Sequence, residues 1–259
     1  MIEIGGLQKV TLIDYPGKLA CTVFLIGCNF SCPWCYNPEL VLPEKIKKHK
    51  KISEKYFFEF LKQRKGLLEG VAICGGEPTI NKKLPNFIKK IKKLGYAVKL
   101  DTNGSNPKML KNLVNEKLID YVAMDIKTPL AQFSISLPRR QAGNFPACAR
   151  VSAGRRFSKY DKATGVKADL NKIKKSIEII KNSGIDYEFR TTVVPGVHTK
   201  EDILQIAKEI TPAKKYYLQN FQPEKTINPK FEKIRPFSQN QLKNIQKECG
   251  KYLPTKIRD

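Results

Sequence analysis

Apolar positions along this chain fall into two alternating rhythms. Short runs of four to eight mostly apolar residues, at 20–26, 70–74, 97–101, 121–125, 187–194 and 216–220, read as buried strands. Between them lie stretches of helical period. One carries Leu84, Phe87, Ile88, Ile91 and Leu94 and is closed by Gly95, and another carries Ile173, Ile177 and Ile180 and is closed by Gly184. Thr199 and Asp202 form a capping pair ahead of Ile203, Ile206 and Ile210. Continuous strands separated by amphipathic helices predict a parallel sheet with crossover helices, and six such units predict an α/β fold, an incomplete (β/α)6 TIM-like barrel. Residues 1–19, with Gly5-Gly6 and Asp14-Tyr15-Pro16-Gly17, read as a short hairpin leading into it.

One segment breaks the rhythm. From Ala131 to Ser158 there is no Lys, Asp or Glu, yet the stretch holds five of the nine arginines, Arg139, Arg140, Arg150, Arg155 and Arg156. The sequence predicts an irregular insertion here, in an otherwise single domain of 259 residues. The competing reading is an arginine-rich partner-binding loop. Cys148 lies inside it.

The net charge of +24 would suit an acidic partner, but 39 of the 48 basic residues are lysines spread over every expected helix. Solvated helix faces explain that distribution, and without arginine-aromatic interleaving nucleic acid is not an expected partner. No apolar run approaches the roughly 18 residues of a membrane span and no secretory signal pattern is present, so a cytoplasmic location is expected. Seven cysteines, an odd number, fit a reducing compartment better than a disulfide framework.

Chemistry enters at Gly27-Cys28-Asn29-Phe30-Ser31-Cys32-Pro33-Trp34-Cys35, directly after the first expected strand. Three thiolates on one short loop suit three corners of a [4Fe-4S] cluster and leave the fourth iron open to a small chelating molecule. A structural zinc site would need four closely spaced Cys or His ligands, and neither His49 nor His198 has a pairing partner nearby. Three more motifs stand at strand ends, where βα barrels gather their chemistry. They are Gly75-Gly76-Glu77-Pro78, Asp101-Thr102-Asn103-Gly104 and Asp125-Ile126-Lys127. Taken singly, the first reads as a turn, the second as a turn and helix cap, and the third as a structural salt bridge.

With these motifs the chain resembles the radical S-adenosylmethionine superfamily. From Gly6-Leu7-Gln8-Lys9 and Leu12-Ile13-Asp14-Tyr15-Pro16-Gly17-Lys18 almost to Pro223, it most resembles the activating proteins of anaerobic ribonucleoside-triphosphate reductase. The resemblance implies that Cys28, Cys32 and Cys35 hold the cluster, whose reduced form cleaves S-adenosylmethionine to a 5'-deoxyadenosyl radical. It implies that Gly75, Gly76 and Glu77 receive the methionine amino group. Asp101, Thr102 and Asn103 would lie near the methionine carboxylate, with Lys127 facing that carboxylate, Arg190 facing it or the partner, and Asn220 reaching the adenosine. Asp101, Thr102 and Asp125 would be candidates for a bound monovalent cation.

The implied partners are a glycyl-radical enzyme such as anaerobic ribonucleoside-triphosphate reductase, and reduced flavodoxin or ferredoxin as electron donor. Tyr36 departs from the pattern, since many relatives carry His after the third cysteine. Alternatives of the same chemistry are a pyruvate formate-lyase activase or an enzyme acting on tRNA or a purine-like small molecule. An alternative of another class is a non-catalytic iron-sulfur electron-transfer or binding protein.

Overall fold

A computed structural model describes residues 1–131 and 157–258. The expected insertion falls almost wholly outside the described residues, as does Cys148.

Among the described residues, eight strands form one sheet in chain order. They are β1 (Ile4–Thr11), β2 (Ala20–Leu25), β3 (Gly70–Gly75), β4 (Ala97–Thr102), β5 (Tyr121–Asp125), β6 (Asp186–Val193), β7 (Tyr216–Asn220) and β8 (Thr255–Arg258). β1 pairs antiparallel with β2, and every later neighbour is parallel. β1 and β8 are the two ends of the sheet and do not pair, so the barrel is incomplete.

All six expected strands are present to within one residue at each end. Two details differ from the sequence reading. Residues 4–11 form no hairpin of their own but pair with the first barrel strand. A seventh parallel strand, β8, follows Pro254; at four residues, with polar Thr255 and Lys256, it carries no apolar run to announce it.

Nine helices are described: α1 (Pro38–Val41), α2 (Pro43–Ile46), α3 (Glu54–Gln63), α4 (Leu84–Lys93), α5 (Pro107–Asn115), α6 (Lys159–Thr164), α7 (Leu170–Lys181), α8 (Lys200–Ile210) and α9 (Gln239–Cys249). Their starts follow local chemistry. Ser158, Thr199 and Ser238 each close a capping box, and Pro107 stands at the start of α5 behind Asn106. Gly95 and Gly184 follow α4 and α7 with positive φ, as their positions in the sequence required.

Strand parity sorts the side chains. Val71 and Ile73, Val98 and Leu100, Val122 and Met124, and Tyr187 and Phe189 join the helix stripes in one apolar core. The opposite faces carry Cys74, Lys99 and Asp101, Asp125, and Glu188 and Arg190. The lumen is therefore ionic above a small apolar base, where Tyr15 meets Tyr121 at 6.1 Å between ring centroids and packs with Ala20. This arrangement puts charged groups toward the C-terminal strand ends.

Candidate active site

The cysteine loop leaves β2 through Gly27 at φ +97°. Its backbone is tied from several sides. Gly27 N donates to Leu40 O at 2.8 Å, Ser31 N to Thr164 O at 2.7 Å, and Cys35 N to Cys32 O at 2.9 Å; Asn228 N donates to Pro33 O at 2.9 Å. Trp34 is buried with its ring 6.0 Å from both His198 and Phe231. Gly165, which caps α6 at φ +69°, lies so close that a Cβ there would meet Ser31 O at 2.3 Å.

Tyr36 stacks on Phe221 at 6.1 Å, and its hydroxyl oxygen accepts from Gln222 N at 2.8 Å. At this position the aromatic ring ties the cysteine loop to the segment after β7. Among the thiols, Cys28 Sγ accepts from Phe30 N at 3.4 Å and Cys35 accepts from the Asn37 backbone. Burial pushes Cys28 and Cys32 up to about 12 and raises Cys35 as well.

The motif after β3 closes against this loop. Gly76 N donates to Leu25 O at 2.9 Å and Glu77 N to Gly27 O at 2.8 Å. A Cβ on Gly75 would meet Leu25 N at 2.4 Å, and one on Gly76 would meet Gly27 O at 2.0 Å, so both positions require glycine for strand contact. Glu77 is 1% exposed. Its Oε1 accepts from Thr79 N at 3.1 Å and from the hydroxyls of Thr79 and Thr102, and its Oε2 accepts from Asn103 N at 2.6 Å. Burial raises its carboxyl above the usual range, with these donors opposing the rise.

Below lies a line of charges. Asp101 takes Lys99 on Oδ1 and Arg190 Nη1 on Oδ2 at 3.0 Å. Asp125 takes Arg190 Nε on Oδ1 at 2.8 Å and Lys127 on Oδ2 at 3.2 Å. Burial opposes both carboxylates, but Arg190 and the lysines outweigh it and hold them below their usual range. Each of these four carboxylate oxygens faces one nitrogen and keeps a further lone pair.

All thirteen residues singled out from the sequence line one cavity of about 380 Å³. The wall also carries residues that were not candidates from the sequence, among them Cys74, Thr192 and Arg258. Thr192 and Gln219 were readable as inward positions by strand period. Arg258 stands on the unforeseen β8, where it makes a bidentate pair with buried Glu188 at 2.6 and 2.9 Å. Asn220 commits Nδ2 to Phe237 O at 2.8 Å and leaves Oδ1 buried without a partner among the described residues.

The family described as "Radical SAM superfamily" matches residues 22–210. The chain belongs to the radical S-adenosylmethionine superfamily. It is 32% identical to a Methanocaldococcus jannaschii protein named "Putative glycyl-radical enzyme activating enzyme", over 96% of this chain and 92% of the other. It is 24% identical to the Escherichia coli anaerobic ribonucleoside-triphosphate reductase-activating protein, over 46% of this chain and 84% of that one. Among solved structures, SuiB of Streptococcus suis superposes with a TM-score of 0.61 at 16% identity, covering 90% of this chain and 47% of its own, a likeness of fold alone.

Radical S-adenosylmethionine enzymes imply a [4Fe-4S] cluster and S-adenosylmethionine, and the residues present fit both. No three Cys, His, Asp or Glu side chains among the described residues are grouped to hold a metal ion. The three loop thiols share one cavity wall, and three thiolates on one loop are a donor set suited to an iron-sulfur cluster. The orphaned Asn220 Oδ1 offers an acceptor to a ligand donor. No helix among the described residues is long and apolar enough to cross a membrane.

Proposed function

We propose that this radical S-adenosylmethionine enzyme is a glycyl-radical enzyme activating enzyme, with anaerobic ribonucleoside-triphosphate reductase as its target. The observation that carries the reading is the meeting of thirteen motif residues, from five strand ends and the cysteine loop, on one cavity wall. Likeness over nearly the full length to the Methanocaldococcus jannaschii protein supports activation of a glycyl-radical enzyme, and likeness to the Escherichia coli activating protein supports the choice of target.

Cys28, Cys32 and Cys35 would hold three irons of the cluster. Together the bound cluster and S-adenosylmethionine supply one-electron chemistry able to take hydrogen from a glycine Cα. The protein's part is to bind, orient and shield. Glu77 Oε2, with one backbone donor, retains capacity for the methionine ammonium, and its tie to Asn103 N fixes where that charge sits. Gly75 brings the β3 end against β2 and Gly76 brings it against the start of the cysteine loop, setting the distance between amino-group and cluster sites. Arg190 and Lys127 would face the methionine carboxylate, with Asp101, Thr102 and Asn103 around it. Asn220 Oδ1 would accept from the adenosine. Reduced flavodoxin or ferredoxin would be the electron donor, with the reaction taking place in the cytoplasm.

The test is anaerobic reconstitution followed by S-adenosylmethionine and a strong reductant, with 5'-deoxyadenosine as the readout. The anaerobic reductase is then added and a glycyl radical sought by electron paramagnetic resonance. A radical on the reductase is expected. An intact cluster that yields no 5'-deoxyadenosine overturns the enzyme reading, while cleavage that leaves no radical on the reductase overturns the target. A second reading, action on a purine-like molecule, draws on 34% identity to the 7-carboxy-7-deazaguanine synthase of Aquifex aeolicus, though over only 32% of this chain. Conversion of that enzyme's substrate in the same assay would favour it.

A further inference from the structure

Lysine is among the residues least often fully buried, because an ammonium out of water needs a compensating partner. Lys99 is 0% exposed. It stands on β4 two positions before Asp101, hence on the same strand face, and donates to Asp101 Oδ1. It does not line the cavity. Its one charged partner among the described residues does.

The order of charges gives this lysine a consequence. Lys99, Asp101, Arg190, Asp125 and Lys127 alternate in sign along one connected line, with three cations to two anions. The neighbouring Arg258 and Glu188 pair one to one and leave that excess unchanged. Without Lys99 the line would hold two cations and two carboxylates. Asp101 would then have Arg190 as its only described cation, and the line would have no positive charge to spare for an incoming anion.

We propose that Lys99 is a positioning residue, whose charge on Asp101 leaves the line one net positive charge with which Arg190 and Lys127 hold a ligand carboxylate. The inference rests on the reading that those two residues face the methionine carboxylate of S-adenosylmethionine. It adds a residue that touches no ligand and governs selectivity from beneath the cavity.

The experiment compares binding of S-adenosylmethionine and its decarboxylated analogue to cluster-loaded protein without reductant, by equilibrium dialysis, with cluster content and melting temperature recorded for each variant. Lys99→Met should lower the preference for the carboxylated ligand about tenfold, the scale of one charge-assisted contact. Lys99→Arg should restore most of it. If Lys99→Met fails to fold or load its cluster, Lys99→Gln, which keeps polar reach without charge, carries the same comparison. An unchanged preference in Arg190→Met overturns the carboxylate reading beneath the proposal. A preference lowered in Arg190→Met but unchanged in Lys99→Met or Lys99→Gln overturns the role of Lys99 alone, as does equal weakening of both ligands by the neutral variants.

Discussion

The cysteine loop and the charged cavity floor are built in opposite ways. In the loop, backbone groups are tied by neighbouring segments while the three thiols line the cavity. On the floor, backbones are ordinary parallel strands and the side chains are engaged with one another, oxygen by oxygen. The loop holds its functional atoms available for something not supplied by the protein. The floor is already complete in itself, apart from one excess charge. Damage to the first should be read in cluster content, and damage to the second in ligand affinity and in stability.

The largest expected effect comes from removing the available atoms. Cys28→Ala, Cys32→Ala or Cys35→Ala should each abolish 5'-deoxyadenosine formation while leaving the floor and the fold intact; wild-type rates in any of them would sink the ligand assignment. Next, Arg190→Met breaks the floor at its centre and leaves Asp101 and Asp125 each short of a buried partner. Removing one member of a buried ionic set costs about 3–5 kcal/mol. Urea unfolding should show a loss of that order, with cluster uptake retained by the folded fraction. A normal unfolding midpoint would mean that water replaces the guanidinium without penalty.

A smaller effect isolates the loop without touching a thiol. Gly165→Ala forces a Cβ toward Ser31 O and strains a positive φ. Iron content after reconstitution should fall severalfold, with far-ultraviolet circular dichroism unchanged. Full iron content would show that α6 does not set the loop's position.

His198 ties the two regions together and provides the mildest test. It is 3% exposed; Nδ1 accepts from Val194 N at 3.0 Å, Nε2 faces Lys127 O at 2.6 Å, and the ring edge meets Trp34. This pattern needs one neutral tautomer. Burial lowers its pKa from 6.5 to about 4, although Asp202 opposes the shift. The unfolded chain therefore takes up this proton near pH 6.5 and the folded chain only near 4, so the contribution is complete above about 6.5 and declines as pH falls toward 4. Its size is roughly 3 kcal/mol. Stability measured at pH 7 and 4.5 should differ less in His198→Gln than in the wild type; an equal difference would remove His198 from the account.

Much of this was legible from the chain. A strand buried on one face and crossed by helices must show its apolar positions, so six strands and the helix stripes could be placed within a residue or so. Glycines at strand ends, three cysteines on one loop and carboxylates beside lysines announced a site. Other features were silent because their signal is not local. β8 is short, sits at the sheet edge and carries polar residues, so Arg258 could not be connected with Glu188 seventy positions away. Lys99 read as one more lysine among thirty-nine. His198 was noticed only as lacking a nearby metal-binding partner, although its ring is held by three separate segments.

The sequence by itself determined the strand and helix order, the inward and outward faces, and the chemistry at each strand end, because periodicity and residue type act over a few neighbouring residues. Only the tertiary structure decided which charges face one another. Asp101 and Arg190 lie 89 positions apart, and their pairing depends on the curvature that brings β4 and β6 to one lumen. The same closure turned Gly76 into a contact with the cysteine loop and made a buried lysine tolerable. Pair energies depend on distance and on exclusion of water, and neither is written in a single segment of the chain.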